Sequence, residues 1–135
     1  MPQKMDYWVE KRVTFHWIAG DITATDFLEA NATAVQLVRN GIGPVHHVVD
    51  ASGVGKVNLN LRQLGEITSL LREPNLGWIV FIGGNAIVRF LAAVLTQHDR
   101  VKFRVVDDQD SARQLLQRVD TTLADLLPVR EPISA

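Results

Sequence analysis

Hydrophobic and polar positions alternate in short blocks along the chain, with a period near two in some and near 3.6 in others. Residues 7–10 form one short block, and in residues 13–19 Val13, Phe15, Trp17 and Ala19 share one face of an extended chain. This pattern predicts two strands joined by a tight turn at residues 11–12 and ended by residues 20–21. The chain therefore opens with a predicted antiparallel hairpin.

The next block has helical spacing. Thr23 followed three residues later by Asp26 indicates a capped helix start, and the helix is predicted to run through about Arg39, where Gly41 supplies a left-handed stop. Residues 45–49 then form an apolar run typical of a buried strand. That strand is predicted to end in a turn at residues 50–53, followed by a loop.

Five further elements, alternately helices and strands, follow along the chain. A helix is predicted from Asn60 to Pro74, a strand over residues 78–82 and a helix over residues 86–97. A strand over residues 101–106 and an amphipathic last helix follow. The apolar stripe of this helix continues to Pro128, unless Thr122 and Asp125 cap a separate final helix. Three acidic residues near its start are expected to cap and charge-complement this last helix: Asp107, Asp108 and Asp110.

The predicted order, β-β-α-β-α-β-α-β-α, defines the fold class. Alternating strands and helices with short connections indicate an α/β protein with a single mixed, mostly parallel sheet and the antiparallel hairpin at one end. Alternation of apolar and basic residues over 101–106 predicts either an edge strand or a strand with one face partly open to solvent. We expect one domain over residues 1–135, with a core over about residues 6–127 and a tail over residues 128–135.

Composition narrows the class of protein. The 135 residues include no cysteine, which excludes disulfides and thiolate sites. The 14 basic and 15 acidic residues nearly balance, so the sequence lacks the excess of positive charge expected of a nucleic-acid-binding protein. No apolar run follows Lys4, so no signal peptide is predicted. Residues 76–95 are apolar enough to suggest a membrane span, but Arg89 and a central glycine pair argue against one. A cytoplasmic protein without membrane insertion is expected.

Residues 50–57 hold the strongest candidates for chemistry. Ser52 follows a predicted strand, as hydrolase nucleophiles do, but the first glycine of the nucleophile elbow is missing, and a backbone turn is favoured. A complete phosphate-binding loop would need glycine at position 50 and a hydroxyl residue at 57, where the chain has Asp50 and Val57. A candidate anion site, built from backbone amides, remains at three residues: Gly53, Gly55 and Lys56.

Histidine and tryptophan side chains give no complete site. His46 and His47 are adjacent on a strand, so they point to opposite faces and cannot chelate one metal together. No metal site and no cofactor are predicted. Three tryptophans fall on strands, which favours packing over a stacking surface: Trp8, Trp17 and Trp78.

The element order and three segments carry a family resemblance. These are residues 15–27, the strand and turn over residues 48–54, and residues 101–116. Together the sequence resembles the STAS domain, the fold of sulfate transporters and anti-sigma-factor antagonists, and above all its stand-alone SpoIIAA-like bacterial members. The resemblance covers roughly residues 7–120.

The resemblance implies a regulatory interaction module, but one without the family's phosphoacceptor. If residues 50–53 occupy the family's Asp-Ser-Ser/Thr-Gly motif, Ala51 stands at the phosphorylated position; if that loop is residues 57–61, it has no hydroxyl. A non-enzymatic module that binds a protein partner or itself is therefore expected. A carrier or sensor of a small apolar or lipid-like ligand is the alternative. The expected partner surface is an exposed loop of four residues: Val57, Asn58, Leu59 and Asn60.

The predicted helix over residues 86–97 also has a weakly polar outer face. Small side chains there would let a second helix approach closely, which predicts a symmetric dimer. The candidate dimer face consists of four residues: Arg89, Ala92, Ala93 and Thr96. The alternative is that the chain's own residues 123–127 cover this face.

Overall fold

A five-stranded sheet forms the centre of the computed structural model, which describes residues 3–58, 69–83, 89, 92–93, 96 and 101–123. The strands are β1 (Gln3–Val9), β2 (Val13–Thr23), β3 (Val45–Asn58), β4 (Leu76–Ile82) and β5 (Lys102–Val106). They lie in the order β1-β2-β3-β4-β5, with β1 antiparallel to β2 and the other pairs parallel. The predicted fold class is confirmed, as are the hairpin and the edge position of β5.

Helices lie on both faces of the sheet. The first, α1 (Ala24–Arg39), packs on one face, and α2 (Gln109–Val119) packs on the other. Short 3-10 helices span Ser69–Arg72 and Thr121–Leu123. Of the predicted helix over residues 86–97, Arg89, Ala92 and Ala93 are helical, and residues 60–68 of the preceding predicted helix lie outside the described part of the chain.

The predicted cap of α1 is confirmed as a reciprocal capping box. The Thr23 backbone N–H donates to Asp26 Oδ2 at 2.8 Å, and the Asp26 N–H donates to Thr23 Oγ1 at 3.3 Å. The predicted left-handed stop at Gly41 is wrong, because Asn40 caps the helix and Gly41 has no positive φ. Glycine is needed there for space: a Cβ would lie 2.6 Å from Val45 and 2.7 Å from the Lys11 carbonyl.

Two strands are longer than the sequence predicts. Residues 20–21 do not end β2, and residues 50–53 do not end β3, because the two strands stay paired through Ile22 and Val57. Pairing passes from Trp17 opposite Asp50 to Ala19 opposite Gly53, so β3 contains one residue more than β2 at that bulge. A second bulge follows before Val57. The turn-forming residues are thus absorbed as bulges within a continuous strand.

The central strands of the sheet are buried on both faces. Side chains of β2, β3 and β4 pack against Leu115, Leu116 and Leu123 on the α2 face. On the other face, Ile18, Val49 and other strand residues form a second cluster with Phe27 of α1. Because both faces are covered, polar side chains of the central strands must find partners inside the protein.

Candidate functional site

The candidate residues around Ser52 lie in β3 and not at a helix start. Asp50 Oδ1 accepts hydrogen bonds from the Ser52 backbone N–H at 3.1 Å and from Ser52 Oγ at 2.6 Å, within the strand and not in the predicted turn. Gly53, Gly55 and Lys56 are exposed. Asp21 Oδ1 is 3.2 Å from where a Cβ on Gly55 would lie, so a carboxylate adjoins the candidate anion site.

The predicted partner loop is in part a strand. Val57 is half-buried opposite Ile22, and Asn58 is exposed opposite Thr23, so the prediction of a loop is wrong for both. The cause is the second bulge, which keeps β3 in register with β2 after the glycines. Leu59 and Asn60 lie outside the described residues.

The candidate dimer face is open to solvent over most of its described positions. Arg89, Ala93 and Thr96 are exposed and Ala92 is half-buried. Leu123, the first residue of the segment proposed to cover this face, packs instead in the core beside α2. Residues 124–127 lie outside the described part.

Two histidines that the sequence left without a role meet on the α1 side of the sheet. His16 and His47 stack with ring centroids 6.3 Å apart. His16 Nε2 donates to Gln3 Oε1 at 2.8 Å, and His47 Nδ1 lies 2.6 Å from Thr14 Oγ1. Burial lowers the pKa of His16 to about 4. Burial, with a smaller contribution from His16, lowers the pKa of His47 to about 3. Both imidazoles are therefore neutral near pH 7.

His46 points to the opposite face, as predicted for adjacent strand residues. Its Nδ1 accepts the Trp78 backbone N–H at 2.9 Å, so the proton is on Nε2, which donates to Asp120 Oδ2 at 2.9 Å. Burial is the main cause that lowers the pKa of His46, while the hydrogen bond to Asp120 acts in the opposite direction. The pair joins the start of β3 to the end of α2.

Arg12 completes this polar group. Its Nη2 lies 3.0 Å from Asp120 Oδ2 and 3.0 Å from Thr122 Oγ1. Burial would raise the pKa of Asp120, but hydrogen bonds from Thr122 and His46 hold it below its usual value. Asp120 is thus an ionised acceptor with one cationic donor, from Arg12, and three neutral donors, from His46 and from the backbone N–H and hydroxyl of Thr122. Because these hydrogen bonds stabilise its ionised form, the Asp120 carboxylate is not available as a general base.

A pocket of about 550 Å³ opens beside this group. It lies at the amino ends of β3, β4 and β5, and its lining includes Arg12, Pro44, His46, Trp78, Lys102 and Asp120. The volume is within the range of small-molecule sites. The described residues contain no group of three or more His, Asp or Glu side chains arranged to hold a metal ion.

Sequence reasoning missed this pocket because its lining comes from distant parts of the chain. His46 and Asp120 are 74 residues apart, and Arg12 and Asp120 are 108 apart. The His46-His47 pair gave one usable signal, since it predicts that one imidazole points to each face. Nothing in the spacing identifies Asp120 as the partner.

Comparison with known proteins identifies the fold. No family model matches the sequence, and no curated protein matches it. The structure is similar to the crystal structure of an uncharacterized protein from the DUF3478 family of Shewanella loihica, described as having a SpoIIAA-like fold. The TM-score is 0.61 at 13% sequence identity, over 86% of this chain and 95% of that one. The chain thus has a STAS-type, SpoIIAA-like fold.

Hydropathy gives one further result. Among the described helices, none combines the length and the apolar character needed to cross a membrane.

Proposed function

We propose that the chain is a non-enzymatic, STAS-like interaction module whose protein partner contacts the carboxyl-terminal part of β3. The observation that carries this proposal is the exposed extension of that strand. Beyond Asp50, β3 has described pairing with β2 and not with β4. Five residues of this extension are exposed: Ser52, Gly53, Gly55, Lys56 and Asn58.

The chemistry of the buried polar groups also supports a binding role. His16 and His47 are buried and neutral, and their described hydrogen bonds are to Gln3 and Thr14. The Ser52 hydroxyl donates to Asp50, and none of its described hydrogen bonds is to an imidazole. A serine nucleophile needs a base within hydrogen-bond reach. The described part of the chain pairs Ser52 with none.

Ser52 is also proposed not to be a regulatory phosphoacceptor. It stands one position after the acceptor of the motif that the family resemblance places on residues 50–53. Phosphate on Ser52 Oγ would stand next to the Asp50 carboxylate, 2.6 Å away at present, and the two negative charges would repel.

The test is affinity capture by the full chain from an extract of the organism that encodes it. A Lys56→Glu/Asn58→Lys variant changes the exposed part of β3, and Glu29→Lys/Gln36→Lys changes exposed positions on α1 as the matched control. We expect one protein to be retained in stoichiometric amount by the wild type and the control and lost by the β3 variant. Equal capture by the β3 variant, or stoichiometric phosphate on Ser52 by intact mass, contradicts the proposal.

A further inference from the structure

The pocket beside His46 lies at the other end of β3 from the proposed partner surface. Its polar floor is already fixed, because the Trp78 backbone N–H, His46, Asp120 and Arg12 form one hydrogen-bonded chain. A ligand therefore meets side chains that are already hydrogen-bonded to one another. Preorganisation of this kind reduces the cost of binding.

Charged groups around the pocket leave an excess of positive charge. In the lining Arg12 and Lys102 are cationic, Asp120 is anionic, and His46 is neutral. Arg104 adds a further cation beside the lining, with its guanidinium carbon 5.0 Å from the centre of the Trp78 ring. Arg12 Nη2 is occupied by Asp120 and Thr122, and Arg12 Nε is buried, with no described partner and out of reach of a ligand. Within the described part of the chain, Lys102 pairs with no carboxylate, and its Nζ lies 5.9 Å from the centre of the Trp78 ring. Among the described residues that line the pocket, Lys102 is therefore the cation that can receive an anionic group.

Apolar side chains form the walls of the pocket, and two of these side chains are exposed to water. Ile42 is 64% exposed and Val119 is 36% exposed, although both are large aliphatic residues. Pro44, Leu76 and Trp78 also line the pocket. Apolar side chains gathered around a few fixed polar groups are typical of small-molecule sites. The pocket thus offers an apolar surface for the body of a ligand next to the Lys102 ammonium.

We propose that this pocket binds a small organic carboxylate with an aromatic or otherwise apolar body. The carboxylate pairs with the Lys102 ammonium, and the body covers Trp78, Pro44 and the exposed side of Val119. Asp120 lines the pocket as an anion, and a phosphate monoester would bring a second negative charge close to it, which favours a monoanion.

The test uses the full chain and three probes that share one ring system: 1-naphthoate, the neutral 1-naphthamide and 1-naphthyl phosphate. Binding is followed by calorimetry and by backbone amide shifts in ¹H–¹⁵N spectra. We expect 1-naphthoate to shift amides of residues 42–46, 76–78 and 119–122 and to bind more tightly than the other two probes. Equal binding of 1-naphthamide, tighter binding of 1-naphthyl phosphate, or no shift at these residues would each overturn the proposal.

A pair of matched variants tests the role of Lys102. Lys102→Gln removes the charge at the pocket, and Lys56→Gln removes a charge from an exposed lysine on β3. Both side chains are exposed, so both variants are expected to fold. We expect Lys102→Gln to weaken 1-naphthoate binding about fivefold, with no effect on 1-naphthamide and none from Lys56→Gln. An equal loss in both variants would show nonspecific attraction and overturn the assignment. Failure here leaves the partner surface on β3 untouched, because that surface is tested by capture.

Discussion

The rings of His16 and His47 lie almost parallel in the core, inclined by 25° with their centroids 6.3 Å apart. They sit on neighbouring strands under α1, where each has a hydrogen-bond partner that a neutral imidazole can satisfy: Gln3 for His16 and Thr14 for His47. Protonating either ring would place a charge in a buried site beside the other ring. The stability of the fold therefore depends on pH.

Acid is therefore expected to destabilise the fold. In the folded state burial lowers the pKa of His16 from 6.5 to about 4 and that of His47 from 6.5 to about 3. Between about pH 6 and pH 4 the unfolded chain binds up to two more protons at these sites than the folded chain. The free energy of unfolding should thus fall as the pH falls, by up to about 2.7 kcal/mol per pH unit from these two histidines.

Urea denaturation at a series of pH values measures this slope. His16→Gln keeps a polar group at position 16 but removes one titrating site, so its slope should be smaller by up to about 1.4 kcal/mol per pH unit. Histidine ring resonances provide the control, because His16 and His47 should not titrate above about pH 5. Titration of both rings near pH 6.5 in the folded protein would contradict the prediction.

Gly77 is expected to tolerate no side chain. A Cβ there would lie 2.5 Å from His46 Nδ1 and 3.1 Å from Pro44 Cβ, at the point where the Trp78 N–H reaches His46. We expect Gly77→Ala to lower the free energy of unfolding by about 1–3 kcal/mol, because the imidazole must move away from its donor. Gly55→Ala is the control, since its Cβ would meet only the carboxylate end of exposed Asp21, at 3.2 Å. Equal stability of the two variants in urea would disprove this account.

Removal of the capping box should weaken the start of α1. Thr23 Oγ1 accepts the Asp26 backbone N–H, and its hydroxyl lies 2.9 Å from Asp26 Oδ2. We expect Thr23→Ala to cost about 1 kcal/mol in urea denaturation. Thr25→Ala, two residues further and exposed, should cost less, and a larger loss from Thr25→Ala would show that the cap is not the source of the stability.

The dimer prediction can be decided at Ala93. Ala93 and Thr96 are exposed in the single chain, so the side chain of a glutamate at position 93 would extend into solvent. If this face forms a symmetric dimer, light scattering should give a dimer for the wild type at tens of micromolar. Ala93→Glu should then give a monomer with an unchanged melting temperature. A monomeric wild type at that concentration excludes the dimer.

Local patterns in the sequence predict the fold better than its strand lengths. Thr23 and Asp26 are three residues apart and specify the cap by themselves, and the alternation around Lys102 and Arg104 is visible in five residues. The end of β3 could not be predicted in this way. Ser52, Gly53 and Gly55 are turn-forming residues, and only pairing with β2 keeps them extended through two bulges.

The candidate site shows the same limit more strongly. Any histidine on a strand can be buried and neutral, as His46 is. The sequence does not show which carboxylate would accept its hydrogen bond. Asp120 reaches it because α2 packs back across the sheet and ends beside the first residues of β3. The pocket is a product of tertiary packing and has no local signature.

The strand order itself has a consequence for design. The five described strands follow one another across the sheet in the order of the sequence, so the strand order does not reverse at any point. In doubly wound proteins, nucleotides sit where the order reverses and two adjacent crossovers diverge, which opens a crevice at the carboxyl edge. No such reversal exists among these strands. Rebuilding residues 50–57 into a complete phosphate-binding loop would therefore supply the amides without the crevice, and we expect such a graft to bind no nucleotide.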